Sequence, residues 1–293
     1  MDYIAQMRNM PKKNDFFIGF DSDGCVFDTM EIKHKECFCP NFIKHFNLQA
    51  ASKYAREVWD FVNLYSKTRG CNRFLAIKRS IELITGWEVF QARGVTPPSI
   101  VELNKWLEVE TKLGNPALEA IVAETGNEEL ATLLAWSQAV NADIADMVHG
   151  IPPFPGVREV IDMAKGRADM IVVSQTPLEA LEREWQEHGI DQNIELICGQ
   201  EHGTKAEHLE YSAVGKYELG KIMMIGDAPG DLKAAQANNV FFFPILPGSE
   251  EYSWALLRDE GLDRFFNGRF AGKFQNELLG EFEESLPEAP PWQ

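Results

Sequence analysis

Short apolar runs that each end at a polar residue are the feature that most limits how this chain can fold. The run Phe16–Phe20 ends at Asp21, and the run Asp169–Val173 ends at Ser174. Runs of this length and character are typical of strands that are buried on both faces. Three further runs are similar: Ile194–Cys198, Lys221–Ile225 and Val240–Phe243. Together they predict a parallel β-sheet.

Helical stretches separate these runs along the chain. They are Val157–Lys165, Pro177–His188, Thr204–Lys216 and Gly230–Asn238. Alternating strands and helices predict a parallel sheet that is covered by helices on both faces, a three-layer Rossmann-like α/β core. Ligands of such sheets bind beyond the carboxyl ends of the strands. The polar residues that follow the apolar runs are therefore expected to converge at one edge.

The segment between the first two strands has a different pattern. Residues 30–149 show helical periodicity, as in Tyr54–Tyr65, Arg73–Ile84, Ser99–Leu113 and Glu128–Val148, and no convincing strand. A proline-rich connector follows at residues 149–156. An insertion of this size is large enough to form a domain. We therefore expect residues 1–29 and 150–293 to form the α/β core and residues 30–149 to form an all-α domain.

The charge balance restricts the partners of the chain. With 28 Lys and Arg against 45 Asp and Glu, the formal net charge is −17. A surface this acidic repels nucleic acids and anionic membranes, which we do not expect as main partners. A small phosphorylated compound remains possible, because a bound cation can set the local field. The polar N-terminus and the lack of a long apolar run make the cytoplasm the expected location.

The sequence Asp21-Ser22-Asp23-Gly24 places two carboxylates at the end of the first strand. Residues two apart can both face one cavity while they lie in different environments. One carboxylate can then remain ionised as a nucleophile while the other carries a proton. Taken alone, the same four residues are also compatible with an Asp-rich turn that has no catalytic role.

A second acidic pair, Asp227 and Asp231, lies where the fourth predicted strand turns into a helix. Hard oxygen ligands of this kind suit Mg²⁺, whose shell is commonly completed by water and substrate. A metal would also reduce the mutual repulsion of converging carboxylates. The alternative is a helix cap, in which Asp227 accepts hydrogen bonds from free N–H groups without any metal.

Phosphate-binding groups are expected at the ends of the other strands. The hydroxyl of Ser174 and the backbone N–H groups that follow it, beginning with Gln175, could hold a phosphate at a helix start. Lys205, at another helix start, could offset the charge of Asp21 and of a phosphoryl oxygen. A serine cap and a solvated lysine are the simpler explanations of each residue alone.

The four motifs in this order strongly resemble the haloacid dehalogenase-like superfamily. The resemblance lies in residues 21–29 (DSDGCVFDT), residues 171–174 (IVVS), Lys205 and residues 225–231 (IGDAPGD). It extends over about residues 15–245, and the all-α insertion occupies the position of that family's mobile cap. The fold that it implies is an α/β core with an inserted helical cap domain.

The resemblance also implies a role for each matching residue. Asp21 would attack phosphorus and form an aspartyl-phosphate, and Asp23 would act as general acid and base. Asp21, the backbone carbonyl of Asp23, Asp227 and Asp231 would hold Mg²⁺. Ser174 and Lys205 would bind the transferred group. One departure is Cys25, where the family often has threonine, so a hydroxyl contact is absent there.

The aspartate at position 23 favours one reaction within the superfamily. Dehalogenases expel halide, which needs no proton, and they lack an aspartate at this position. An alkoxide leaving group does need a proton, which Asp23 could supply. Hydrolysis of a small phosphomonoester is therefore expected. A phosphotransferase or sugar-phosphate mutase is the enzymatic alternative, and a non-enzymatic binding protein on the same fold is the remaining one.

Substrate selectivity is expected to lie in the helical insertion. Its most basic loop-like segment is residues 66–73, which contains Lys67, Arg69 and Arg73. In an acidic protein, this concentration of positive charge favours contact with an anionic substrate. A solvated turn between two helices is the alternative explanation.

Overall fold

The computed structural model describes residues 2–292, which fold into two compact units. The first unit contains residues 2–29 and 150–286. The second contains residues 30–149 and, from the other end of the chain, residues 287–292. Within residues 2–292, every helix is too short or too polar to cross a lipid bilayer.

The first unit contains the predicted parallel sheet. Its strands are β1 (Phe16–Phe20), β2 (Ala168–Val173), β3 (Leu196–Cys198), β4 (Ile222–Gly226) and β5 (Phe241–Pro244). Their order is β3-β2-β1-β4-β5, and every neighbouring pair is parallel. The predicted α/β fold class is confirmed. The third strand is shorter than expected because the N–H of Ile194 donates to the Asp191 carbonyl at 2.9 Å and closes a turn.

The strands are connected and covered by helices. In chain order the α-helices are α1 (Tyr3–Asn9), α2 (Thr29–Ile32), α3 (Cys39–His45), α4 (Ser52–Asn63), α5 (Arg73–Gly86), α6 (Glu88–Gln91), α7 (Val101–Val109), α8 (Asn115–Thr125), α9 (Glu128–Met147), α10 (Val157–Ala164), α11 (Leu178–Glu187), α12 (Lys205–Ser212), α13 (Pro229–Ala237), α14 (Glu250–Leu256), α15 (Leu262–Phe266) and α16 (Lys273–Ser285). Turns of π-helix extend α2 and α14 over Lys33–Phe38 and Leu257–Gly261.

The side chains of the central strand alternate between two hydrophobic cores. Ile18 and Phe20 join a buried cluster with residues of α10, α11 and α14. Phe17 points the other way, into a cluster with residues of α1, α12 and α13. This alternation follows from the two-residue period of a strand, and it gives the three layers that were expected. Both faces of the sheet are therefore buried, and its carboxyl edge is the place where polar groups collect.

The second unit is all-helical around an aromatic core. Its largest buried side chains include Phe42, Trp59, Phe74 and Trp136. The last described residue, Trp292, also belongs to this unit, and its ring stacks on Trp87 with centroids 4.6 Å apart. The C-terminal segment that follows α16 is therefore part of the packing of the helical unit.

Candidate active site

Strand register brings the residues that follow β1, β2 and β4 to one edge of the sheet. Phe20 is paired with Val172 on one side and with Ile225 on the other. Asp21 continues the ladder, since its N–H donates to the Ile225 carbonyl at 2.9 Å. The N–H of Ser174 does the same toward the Cys198 carbonyl at 3.0 Å. The backbone ladder therefore fixes both residues at the start of their loops.

The chain reverses direction immediately after Asp21. The carbonyl of Ser22 accepts hydrogen bonds from the N–H groups of Val26, at 2.9 Å, and Phe27, at 3.1 Å. Gly24 makes this turn possible because its φ is +76°, a value that residues with a Cβ rarely adopt. We call residues 21–27 the catalytic loop, since it carries Asp21 and Asp23.

Three buried carboxylates meet at the edge of the sheet. One oxygen from each of Asp21, Asp227 and Asp231 lies within 4.8 Å of the others. Asp231 also caps α13, because its Oδ2 accepts from the Ala228 N–H at 3.0 Å. Asp231 therefore both caps the helix and belongs to the carboxylate cluster. Gly226 is required beside it, since a Cβ there would lie 2.4 Å from Cγ of Asp231.

Lys205 lies at the centre of this cluster, where α12 begins. Its Nζ is 2.9 Å from Oδ1 of Asp21 and 2.6 Å from Oδ1 of Asp231. Burial alone would lower the pKa of this ammonium group, but the two carboxylates outweigh burial and raise it. Lys205 is therefore a permanent cation that holds Asp21 and Asp231 together.

The three carboxylates of the cluster affect one another's protonation. Burial, followed by the charges of Asp231 and Asp227, raises the pKa of Asp21 well above its ordinary value, although Lys205 opposes this shift. A divalent cation bound to the cluster would reduce this mutual repulsion of the carboxylates. An all-oxygen donor set also matches the preference of Mg²⁺. The residues present therefore fit the metal that the sequence predicts.

Asp23 lies outside this carboxylate cluster and has different partners. Its Oδ1 accepts from the hydroxyl of Thr29, and its Oδ2 accepts from the hydroxyl of Thr176 at 2.7 Å. The sequence did not single out Thr176, although it lies two residues after Ser174. Asp23 thus accepts from two hydroxyl groups, whereas Asp21 contacts the ammonium group of Lys205.

Ser174 and Gln175 lie beside these groups but make different contacts. Ser174 is buried, and its Oγ accepts from the Thr176 N–H at 3.2 Å. The side-chain amide of Gln175 donates to the carbonyl of Gly203 at 2.9 Å. Gln175 thus links the loop after β2 to the loop that precedes Lys205.

The basic residues predicted in the insertion are found in the helical unit. The side chain of Lys67 is exposed. The guanidinium of Arg69 is buried and donates to the Leu64 carbonyl at 2.9 Å. Arg73 donates to the side chains of Ser137, at 3.0 Å, and Asn141, at 2.7 Å. Burial lowers the pKa of Arg73 to about 10.

The two arginines thus have hydrogen-bond partners within the helical unit. Substrate contact by Lys67, Arg69 and Arg73 stays a prediction, and Lys67 is the one of the three with an exposed side chain.

The fold and the site together define a Rossmann-like α/β core with a buried acidic centre at the carboxyl edge of its sheet. The sequence profile of haloacid dehalogenase-like hydrolases matches residues 101–245, a range that includes Ser174, Lys205 and the Asp227–Asp231 pair. Asp21 and Asp23 precede the matched range. The resemblance to this superfamily that the motifs predict is confirmed over the matched residues.

A solved structure with a TM-score above 0.5 supports the assignment of the fold. A candidate phosphoglycolate phosphatase from Lactobacillus delbrueckii subsp. bulgaricus is 17% identical, with a TM-score of 0.51 over 86% of this chain and 98% of that one. A predicted phosphatase from Clostridium acetobutylicum is 14% identical, with a TM-score of 0.41 over 87% and 97%. At 17% identity the likeness to the Lactobacillus protein concerns the fold alone. No curated protein matches the sequence.

Proposed function

We propose that the protein is a Mg²⁺-dependent phosphatase that hydrolyses a small phosphomonoester through an aspartyl-phosphate on Asp21. The observation that carries this proposal is the contrast between the two aspartates of the catalytic loop. Asp21 belongs to a buried carboxylate cluster and contacts the Lys205 ammonium, whereas Asp23 is held by two hydroxyls. Nucleophilic attack and proton transfer need these two different environments.

In the first step, a carboxylate oxygen of Asp21 attacks phosphorus in line with the departing oxygen. The bond from phosphorus to that oxygen breaks, and the proton of Asp23 moves to the leaving group. In the second step, water attacks phosphorus and gives a proton to Asp23. Inorganic phosphate leaves, and the carboxylate of Asp21 is restored. Each step requires Asp23 to move one proton, first as acid and then as base.

The surrounding groups bind and neutralise the phosphoryl group. Lys205 and the hydroxyl of Ser174 would contact its oxygens, together with the backbone N–H of Gln175. Asp21, Asp227, Asp231 and the backbone carbonyl of Asp23 would hold Mg²⁺. When bound, Mg²⁺ supplies positive charge that stabilises the oxygens of the transferred group.

The proposal is tested with a panel of phosphorylated metabolites, scored by released phosphate. Phosphoglycolate is included because of the structural relative from Lactobacillus. We expect turnover of at least one compound with Mg²⁺, loss of turnover with a chelator, and recovery when Mg²⁺ is restored. Transfer of the phosphoryl group to an added alcohol in place of water would indicate a phosphotransferase. Absence of turnover across the panel would favour a binding protein.

The role of Asp23 has its own test, based on the leaving group. A phenolate is a stable enough anion to leave without a proton, whereas an alkoxide must be protonated as it leaves. Asp23→Asn should therefore lose about 10²- to 10⁴-fold in rate on alkyl phosphates and clearly less on an aryl phosphate. Equal losses on both kinds of substrate would contradict the assignment of Asp23 as general acid.

A further inference from the structure

Two buried tryptophans contact the catalytic loop from elements that follow it far along the chain. Trp185 lies on α11 and Trp254 lies on α14, and both side chains are fully buried. The indole Nε1–H of Trp185 donates to Oγ of Ser22 at 3.0 Å. The indole Nε1–H of Trp254 donates to the carbonyl of Cys25 at 2.9 Å. Each indole therefore holds a residue of the loop that carries Asp21 and Asp23.

A hydrogen bond that fixes Ser22 also restricts the positions of the two aspartates, because Ser22 is next to both in the sequence. Ser22 lies between Asp21 and Asp23 in the sequence, and its hydroxyl contacts residues of α11. Ser22 is completely buried, and its hydroxyl also donates to Oε2 of Glu184 at 3.2 Å. Loss of these contacts would leave a buried hydroxyl unsatisfied, which disfavours other loop conformations.

Each indole is in turn fixed by an aromatic residue at one end of the loop. The ring of Trp254 stacks on Phe20, which precedes Asp21, with an interplanar angle of 16° and centroids 6.4 Å apart. The ring of Trp185 meets Phe27 edge to face, with centroids 5.8 Å apart. Aromatic pairs of this geometry are favourable beyond the area that they bury. The loop and the two rings therefore support one another.

We propose that Trp185 and Trp254 are positioning residues, whose indole N–H groups fix the catalytic loop in the geometry that the reaction needs. This inference rests on the proposed phosphatase function. The two indoles hold the loop on either side of Asp23, at Ser22 and at Cys25. Because in-line attack depends on placement of the nucleophile, a displacement of about 1 Å can cost about a hundredfold in rate.

The first test replaces each tryptophan by phenylalanine, which keeps an aromatic ring and removes the N–H donor. We expect Trp185→Phe and Trp254→Phe to lower kcat by about ten- to a hundredfold with little change in KM. Trp59→Phe is the matched control, because Trp59 is also fully buried and its Nε1 has no hydrogen-bond partner among residues 2–292. Losses of kcat in the control equal to those in the other two variants would overturn the proposal.

The second test removes the acceptor. Ser22→Ala should lower kcat at least as much as Trp185→Phe, because it also removes the hydrogen bond to Glu184. The double variant should lose little more than Ser22→Ala, since both changes break the hydrogen bond between Trp185 and Ser22. Losses that multiply in the double variant would show that the two residues act independently, and the proposed contact would then be wrong.

The third test needs no activity, so it separates this inference from the proposed function. In protein labelled with ¹⁵N at its indole nitrogens, Ser22→Ala should shift the Trp185 indole signal and leave the Trp254 signal in place. An unchanged Trp185 signal would overturn the contact. If the indole shift is found but the wild-type protein hydrolyses nothing in the panel, the phosphatase function fails and the contact remains.

Discussion

Removal of the Lys205 ammonium group should destabilise the fold as well as stop the reaction. Lys205→Met keeps most of the side-chain volume but leaves Asp21 and Asp231 without the cation that lies 2.9 and 2.6 Å from them. Loss of one partner from a buried ion pair costs about 3–5 kcal/mol, because the other charge stays buried and uncompensated. We expect a loss of this size in the free energy of unfolding at pH 7 without Mg²⁺.

The pH dependence of this loss follows from the sign of the pKa shift. The pKa of Asp21 is already raised in the folded protein, by burial first and then by Asp231, and removal of Lys205 raises it further. When the pKa of an acid is higher in the folded state than in the unfolded state, its ionised form destabilises the fold. This destabilisation grows as pH rises and disappears at low pH, where the group is protonated in both states. The deficit of Lys205→Met should therefore shrink between pH 7 and pH 5.

Urea unfolding at pH 7 and pH 5, with and without Mg²⁺, measures this effect. Lys233→Met is the matched control, because Lys233 is exposed on α13. Mg²⁺ should stabilise Lys205→Met, since the metal can replace part of the lost positive charge. The reasoning is refuted if Lys205→Met and Lys233→Met unfold with free energies within about 1 kcal/mol of each other at pH 7, a difference typical of exposed pairs.

Two further predictions concern the packing and the protonation of the α/β unit. Gly226→Ala would place a Cβ 2.4 Å from Cγ of Asp231, so it should cost about 1–3 kcal/mol and weaken Mg²⁺ binding measured by calorimetry. Gly230→Ala, whose Cβ would meet nothing within 4 Å, should instead stabilise helix α13 by about 0.5–1 kcal/mol, and equal effects of the two changes would contradict this account. Burial lowers the pKa of His208 to about 4. As pH falls from 7 to 5, this histidine therefore binds a proton in the unfolded chain but not in the folded one. The free energy of unfolding should decrease by about 2 kcal/mol over this range because of His208. Urea unfolding of His208→Gln should lack this part of the pH dependence, whereas His149→Gln, at an exposed position, should keep it.

The sheet and its polar edge could be predicted because they follow from local rules. Each strand is a compact apolar run, and parallel strands bring their carboxyl ends to the same side. These rules are sufficient to predict that Asp21 and Ser174 continue neighbouring strands, as the ladder bonds show. The spacing of Gly226, Asp227 and Asp231 also predicted a carboxylate pair at this edge. The helix that begins after β4 places the side chain of Asp231 next to Gly226.

The contacts that were missed depend on pairings across long stretches of chain. Thr176 reaches Asp23 over a separation of 153 residues, and Trp254 reaches Cys25 over 229. No periodicity or spacing encodes such pairs. The contacts of the basic segment 66–73 could not be predicted either. Composition shows that the segment is positively charged, but not that the guanidinium groups of Arg69 and Arg73 donate to acceptors of their own unit.

The role of Asp21 is tested most directly by acid-quench labelling with a radiolabelled substrate from the panel. Wild-type protein mixed with that substrate and Mg²⁺ should retain covalently bound phosphate when it is quenched within one turnover. The label should map to Asp21, and Asp21→Asn should carry no label and release no phosphate. Label on another residue, or continued hydrolysis by Asp21→Asn, would contradict the proposed mechanism.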